Sequence, residues 1–225
     1  LVGICLLILF MFIDYRKYRN YYFQIILCAI ALLVFTKFYY IINGINRPAR
    51  WIYLGPISIQ TSDIARLGLI MFLAGYIDRK KHQLSDFSTG FLLPTLILAL
   101  IMSLIIVQPD FSTAILLGII GGIMLFIGGA NFAHLSAASA TGLCVAIPVL
   151  LMEPYRWERV RAWLNRTEDI SAIGYQAYQS LISLGNGGFL GLGLGNSMEK
   201  NMFLPEPHTD FIFSIIGEEI GFIGI

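Results

Sequence analysis

An all-α, polytopic transmembrane helical bundle is the fold class this sequence predicts, and three observations carry the prediction. Hydrophobic residues fill 57% of the 225 positions and charged residues 13%, about half the charge of an ordinary soluble domain. Mean hydropathy is +0.74. Apolar runs recur at lengths that suit helices crossing a bilayer, about 20 residues at 1.5 Å rise each. The runs lack the strict alternation of a membrane β-barrel, so their backbone polar groups must be satisfied within helices.

The first run, 1–13, is incomplete and leads into the basic loop Asp14-Tyr15-Arg16-Lys17-Tyr18-Arg19. A span over 21–42 follows. Arg47, Arg50 and Trp51 then enter a segment through Gly55-Pro56 that reads as a lid on the membrane surface, with Trp51 and Tyr53 as interfacial anchors. The span 62–77 is short and carries Asp63 and Arg66, an i,i+3 pair whose mutual neutralisation lowers its cost in lipid. Thr61 or Ser62 caps it, with Asp63 favourable in the first turn. The second basic loop, Asp78-Arg79-Lys80-Lys81-His82, precedes a span at 88–107. At Gln108-Pro109-Asp110-Phe111 the chain turns tightly: Pro109 ends one helix, and Asp110 or Ser112 caps the next, 112–128. A span at 131–152, a long loop at 153–210 and an incomplete run at 211–225 complete the pattern. Both ends fall inside apolar runs, which predicts a single transmembrane domain over 1–225, cut at each end, with about five complete and two truncated spans.

Orientation follows from the basic loops. Two spans separate them, so both lie on one side, and the excess of Lys and Arg makes that side cytoplasmic. The loop 153–210 is then extracytoplasmic, although it holds Arg156, Arg159, Arg161, Arg166 and Lys200. Two readings fit: anionic head groups or phosphates meet it, or Glu153, Glu158, Glu168 and Asp169 balance it as a solvated loop.

Several function classes drop out. Net charge is +1 and no Lys/Arg run is long enough for a nucleic-acid arm. Cys5, Cys28 and Cys144 are scattered through apolar stretches and make neither a disulfide framework nor a CxxC site. The glycine-dense stretch Gly185 to Gly195 fails the dinucleotide-binding spacing, and reads as a flexible or close-packed re-entrant element rather than a phosphate cradle. Chemistry concentrates in Leu204-Pro205-Glu206-Pro207-His208-Thr209-Asp210 and the run after it. At 100° per residue Asp210, Ser214, Gly217, Gly221 and Gly224 share one small, polar face, which packs on another helix or lines a cavity. Glu218 and Glu219 lie about two turns deeper, where an ionisable pair is a functional candidate or a buried group neutralised by Arg66 or another base. Asp210 sits at the external water boundary beside Glu206, His208 and the basic loop.

Six stretches in order resemble the SEDS family of shape, elongation, division and sporulation proteins, which includes RodA, FtsW and SpoVE. They are Arg50-Trp51-Ile52-x-Leu54-Gly55, Ser58-Ile59-Gln60-x-Ser62, Gln108-Pro109-Asp110-Phe111-x-Thr113-Ala114, Gly174-Tyr175-Gln176-x-x-Gln179-Ser180-Leu181, Gly187-Gly188-x-x-Gly191-x-Gly193-Leu194-Gly195, and Leu204-Pro205-Glu206-x-His208-Thr209-Asp210-Phe211 with Gly217-Glu218-Glu219. The details around Gly195-Asn196-Ser197 and Lys200 look closer to the FtsW/SpoVE branch. Two departures are visible: Thr61-Ser62-Asp63 with Arg66 stands where the family has Pro-Ser-Glu with Lys, and Ser112 replaces a glycine.

The resemblance implies a bundle of about ten helices, of which this chain covers part of the second through part of the eighth. It implies a peptidoglycan glycosyltransferase in the bacterial cytoplasmic membrane, acting at the outer face on lipid II, a disaccharide-pentapeptide on undecaprenyl pyrophosphate. It places Asp210 in the catalytic position and brings Arg50, Arg159, Lys200, Glu206, His208 and Gln179 forward as substrate contacts. Asp63, Arg66, Asp110, Glu218 and Glu219 become structural or ion-paired groups. A divalent cation, magnesium or manganese, is a possible companion of the pyrophosphate, and a class B penicillin-binding protein is the implied partner. The competing functions are a lipid II flippase, with Asp63, Arg66, Glu218 and Glu219 along its path, and a non-catalytic scaffold of the wall-synthesis complex.

Overall fold

A computed structural model describes residues 2–12, 14–44, 49–54, 57–152, 154, 157–158, 160–161, 172–199 and 211–225. The chain divides into two compact units, Leu1–Gly142 and Leu143–Ile225.

In the first unit, helices follow the apolar runs. α1 (Val2–Met11) leads to the single turn α2 (Tyr15–Tyr18), which Asp14 starts by accepting the Arg16 amide at 2.9 Å. α3 is Tyr22–Ile42 and α4 is Thr61–Lys80. α4 outruns the apolar stretch 62–77 because helical turns continue through Asp78, Arg79 and Lys80, whose cations suit the negative end of the helix dipole. A turn of π-helix, Phe87–Phe91, feeds α5 (Leu92–Val107). Asp110 caps α6 (Phe111–Ile127) by accepting the Thr113 amide at 3.4 Å. α7 spans Phe132–Leu151, its residues from Leu143 onward belonging to the second unit. Among the described residues, α3, the stretch Phe87–Val107 and α7 are long and apolar enough to cross a membrane, with α6 shorter.

The core of this unit lies between α3, α4, α5 and α6, where Leu69, Phe72, Leu73, Ile101, Ile105 and Leu117 are fully buried. Small residues bring the helices together. A Cβ added at Gly68 would lie 3.1 Å from that of Ala29, and one at Gly75 only 2.8 Å from that of Tyr22. In lipid, where burying leucine against leucine gains little over burying it in acyl chains, close backbone approach and dispersion contacts hold helices in place. The outer side of α6 keeps Ile119, Ile123 and Phe126 exposed, as lipid contact requires.

The segment read as a surface lid contains the unit's strands. β1 (Trp51–Leu54) and β2 (Ile57–Gln60) form an antiparallel hairpin with Trp51 opposite Gln60 and Tyr53 opposite Ser58. Four-residue runs of aromatic and β-branched residues on either side of Gly55-Pro56 favour a hairpin over a helix. Tyr40 ties it to α3, its hydroxyl donating to the Trp51 carbonyl at 2.8 Å.

In the second unit, α8 (Ala172–Gly187) packs on α9 (Ile212–Ile220). α9 is shorter than the run 211–225: the chain leaves the helix at Gly221, with φ 72°, and closes on a 3-10 turn, Phe222–Gly224. The glycine-dense stretch turns back against that break. Leu192 and Gly193 donate their amides to the Glu218 and Glu219 carbonyls, both at 2.9 Å. In return Phe222 and Ile223 donate to the Gly188 and Phe189 carbonyls at 2.9 and 3.2 Å. The stretch is thus the close-packed alternative of the two that its composition allowed.

Candidate functional site

Each unit holds a polar cluster. In the first, residues of the loop before α6 meet the hairpin and the start of α4. Asp110 is buried, and its carboxylate accepts from the Gln60 side-chain amide at 3.2 Å and the Ser62 hydroxyl at 3.3 Å. Gln60 also donates to Ser62 at 2.9 Å. Arg50 clamps the same loop, donating from Nε to the Gln108 carbonyl at 3.2 Å and from Nη2 to the Pro109 carbonyl. Gln108, fully buried, donates to the Leu33 carbonyl at 3.0 Å. Arg50 and Asp110 therefore fasten the tight turn between α5 and α6 to the hairpin. Asp63 and Arg66 pair at 2.9 Å near the start of α4, both partly exposed.

The second cluster lies between α8, α9 and the glycine-rich turn. Glu218 is fully buried and has no basic partner among the described residues. Its carboxylate is held instead by the Ser197 hydroxyl, the Ser183 hydroxyl at 3.2 Å and the Met198 amide at 3.2 Å. Arg66, one of the bases considered for Glu218 from the sequence, is paired with Asp63. Hydroxyls and amides suffice because a carboxylate offers about four acceptor sites. Ser183 also lies 3.0 Å from the Ser214 carbonyl, and its single proton serves one acceptor at a time. Ser180 and Ser214 share a hydrogen bond at 2.6 Å. Glu219 accepts the Ser197 amide at 3.4 Å. Gln179 is half-buried on α8, one residue before Ser180.

Glu199 completes this cluster. It is buried, and its Oε2 has no hydrogen-bond partner among the described residues. Burial, and after it the nearby charge of Glu218, pushes its carboxyl above the ordinary range. Ser183, Ser197 and Glu199 were not site candidates in the sequence; the available signal was Ser180 and Ser183 at i,i+3 opposite Ser214 and Glu218 at i,i+4. Asp210, with Arg159, Lys200, Glu206 and His208, lies outside the described residues. Among the described residues no group of three or more His, Cys, Asp or Glu is arranged for a metal ion.

The family model described as "Cell cycle protein", covering FtsW, RodA and SpoVE, matches residues 1–225. The chain belongs to the FtsW/RodA/SpoVE family. Its curated relatives place it in the FtsW branch. Proteins named "Probable peptidoglycan glycosyltransferase FtsW" are 37% identical over 213 residues in Aliivibrio salmonicida, covering 95% of this chain and 53% of the relative. In Saccharophagus degradans the figure is 41% over 180 residues, covering 80% and 46%. In Geobacter metallireducens it is 35% over 225 residues, covering 100% and 60%. The chain thus spans about half the length of the FtsW relatives it matches. A solved chain from "Structural coordination of polymerization and crosslinking by a peptidoglycan synthase complex" superposes with a TM-score of 0.67 at 23% identity, covering 99% of this chain and 61% of that one. That likeness carries the fold. With the apolar helices, membership makes this FtsW-type chain part of a multi-pass membrane protein.

Proposed function

We propose that the full-length protein is a peptidoglycan glycosyltransferase that polymerises lipid II at the outer face of the cytoplasmic membrane during cell division or sporulation. One observation carries the reading: in a chain whose relatives bear that activity's name, the helix following His208-Thr209-Asp210 is fastened by main-chain bonds and by serine hydroxyls on a buried carboxylate. Catalysis by positioning needs a rigid element beside the reacting group, and α9 is one.

In the proposed reaction the Asp210 carboxylate takes the proton of the acceptor sugar's hydroxyl. That oxygen bonds the anomeric carbon of the donor as the bond to undecaprenyl pyrophosphate breaks. Negative charge grows on the departing pyrophosphate, which Arg159 and Lys200 stabilise. Glu206, His208 and Gln179 contact the sugars. Arg50 is held by its bonds to the 108–109 carbonyls and acts on substrate only through its remaining N–H groups. A divalent cation, magnesium or manganese, beside the pyrophosphate would offset the same charge. A class B penicillin-binding protein is the proposed transpeptidase partner. The orientation is supported by the two basic loops meeting, with Arg19 pairing Asp78 at 2.7 Å. Residues that a flippase path needs are engaged: Asp63 with Arg66, Glu218 with hydroxyls.

The test is polymerisation of purified lipid II by full-length protein, read as glycan strands on a gel. Asp210→Ala and Asp210→Asn are expected to lose about 10²–10⁴-fold, the worth of a general base. Full activity in a folded Asp210→Asn protein overturns the assignment, and lipid II translocation in vesicles without polymer favours the flippase.

A further inference from the structure

The geometry points to an anionic glycerophospholipid bound at the basic end of the first unit, its phosphate among arginines and an acyl chain in an adjoining apolar groove. Two cavities meet there at Asp78. One, of about 590 Å³, is lined by Arg16, Arg19, Asn20, Asp78 and Arg79. The other, of about 390 Å³, runs between α4 and α6 along Ala74, Ile77, Met124, Ile127 and Gly128, with Lys81 at its edge.

The charges in the first cavity do not cancel. Asp78 is matched by Arg19 at 2.7 Å, which leaves Arg16 and Arg79. Arg79 is held in place by its bonds to the Arg19 carbonyl at 3.2 Å and the Asn20 side-chain oxygen at 3.1 Å, and by stacking over Tyr22 at 4.9 Å. Those contacts use only part of its five donors. Arg16 and Lys81 have no side-chain hydrogen bond or ion pair among the described residues. The cavity lies where α3 begins, at Tyr22, and α4 ends, at Lys80. In a membrane-crossing chain that is the level of lipid phosphates. An arginine fork suits phosphate oxygens, and a free phosphate has no use for the groove.

The experiment reconstitutes full-length protein with phosphatidylglycerol and phosphatidylcholine and measures, by native mass spectrometry, which lipid it retains. Wild-type protein is expected to retain the anionic lipid preferentially. The double variant Arg16→Gln/Lys81→Gln, which breaks no bond within the described residues, is expected to lose the preference by on the order of fivefold per charge removed. Arg16→Lys with Lys81 intact should largely keep it. An unchanged preference in the double variant overturns the proposal. So does an equal loss in Lys17→Gln/Lys80→Gln, two cations at the same end but outside both cavities, which would mean general surface attraction. Stabilisation by inorganic phosphate equal to that by phosphatidylglycerol overturns the lipid in favour of a free anion.

Discussion

Replacing Gly191 by alanine tests the interlock that holds α9. Gly191 sits at φ 78°, and an added Cβ would lie 2.3 Å from the Glu219 carbonyl oxygen. Left-handed backbone costs a residue with a Cβ about 1–2 kcal/mol. The collision cannot be relieved by a flexible side chain, because the obstacle is backbone. The turn must move away, which strains the bonds from Leu192 and Gly193 to the Glu218 and Glu219 carbonyls, each worth about 1 kcal/mol. The expected loss is therefore about 2–4 kcal/mol, measured as unfolding free energy of the full-length protein in denaturing detergent. Gly185→Ala is the control: Gly185 lies within α8 with open space around its added Cβ, so it should be neutral or gain up to about 1 kcal/mol. A Gly191→Ala protein as stable as wild type, or one indistinguishable from Gly185→Ala, refutes the reasoning.

Removing the Asp110 carboxylate by Asp110→Ala takes an acceptor from Gln60 and Ser62 and uncaps α6; a loss of about 1–3 kcal/mol is expected in the same unfolding measurement, and no loss would show that Arg50 and Gln108 hold the turn without it. Glu199 predicts a pH dependence. Its carboxyl is raised in the folded protein, so the folded state binds more protons and stability falls as pH rises from the ordinary carboxyl range, about 4.3, through the raised value. Glu199→Gln should flatten that slope and be the more stable protein above it. A wild-type slope of the opposite sign, read from melting temperature against pH, would dismiss this account. The Asp210 and Arg16/Lys81 experiments complete the set.

Helices were legible in the sequence because lipid leaves few alternatives: an apolar run of about 20 residues can satisfy its backbone only by coiling. The turn at Gln108-Pro109-Asp110 was legible for a local reason, since proline stops one helix and a carboxylate starts the next. The hairpin at Trp51 to Gln60 was harder, because its two short runs each resemble an interfacial loop until they are paired. α8 was missed altogether: Ala172 to Gly187 mixes Tyr, Gln, Ser and Asn with few aliphatic residues, so hydropathy gives it no outline. The small, polar face running from Ser214 to Gly221 was readable from periodicity; Ser214 and Gly217 pack on α8, and Gly221 on the glycine turn that follows it. What periodicity cannot supply is a partner's identity. Glu218 in a helix reads as needing a cation, and only folding brings Ser183 and Ser197 from elsewhere in the chain to meet it.

The interlock between the glycine turn and the end of α9 joins peptide groups to peptide groups. Such a fastening is largely blind to side-chain identity, so an exposed residue such as Leu190 can be exchanged without loosening it. How deep α9 sits is then governed by a few positions that tolerate no Cβ, much as a bolt's travel depends on its slot and not on its paint.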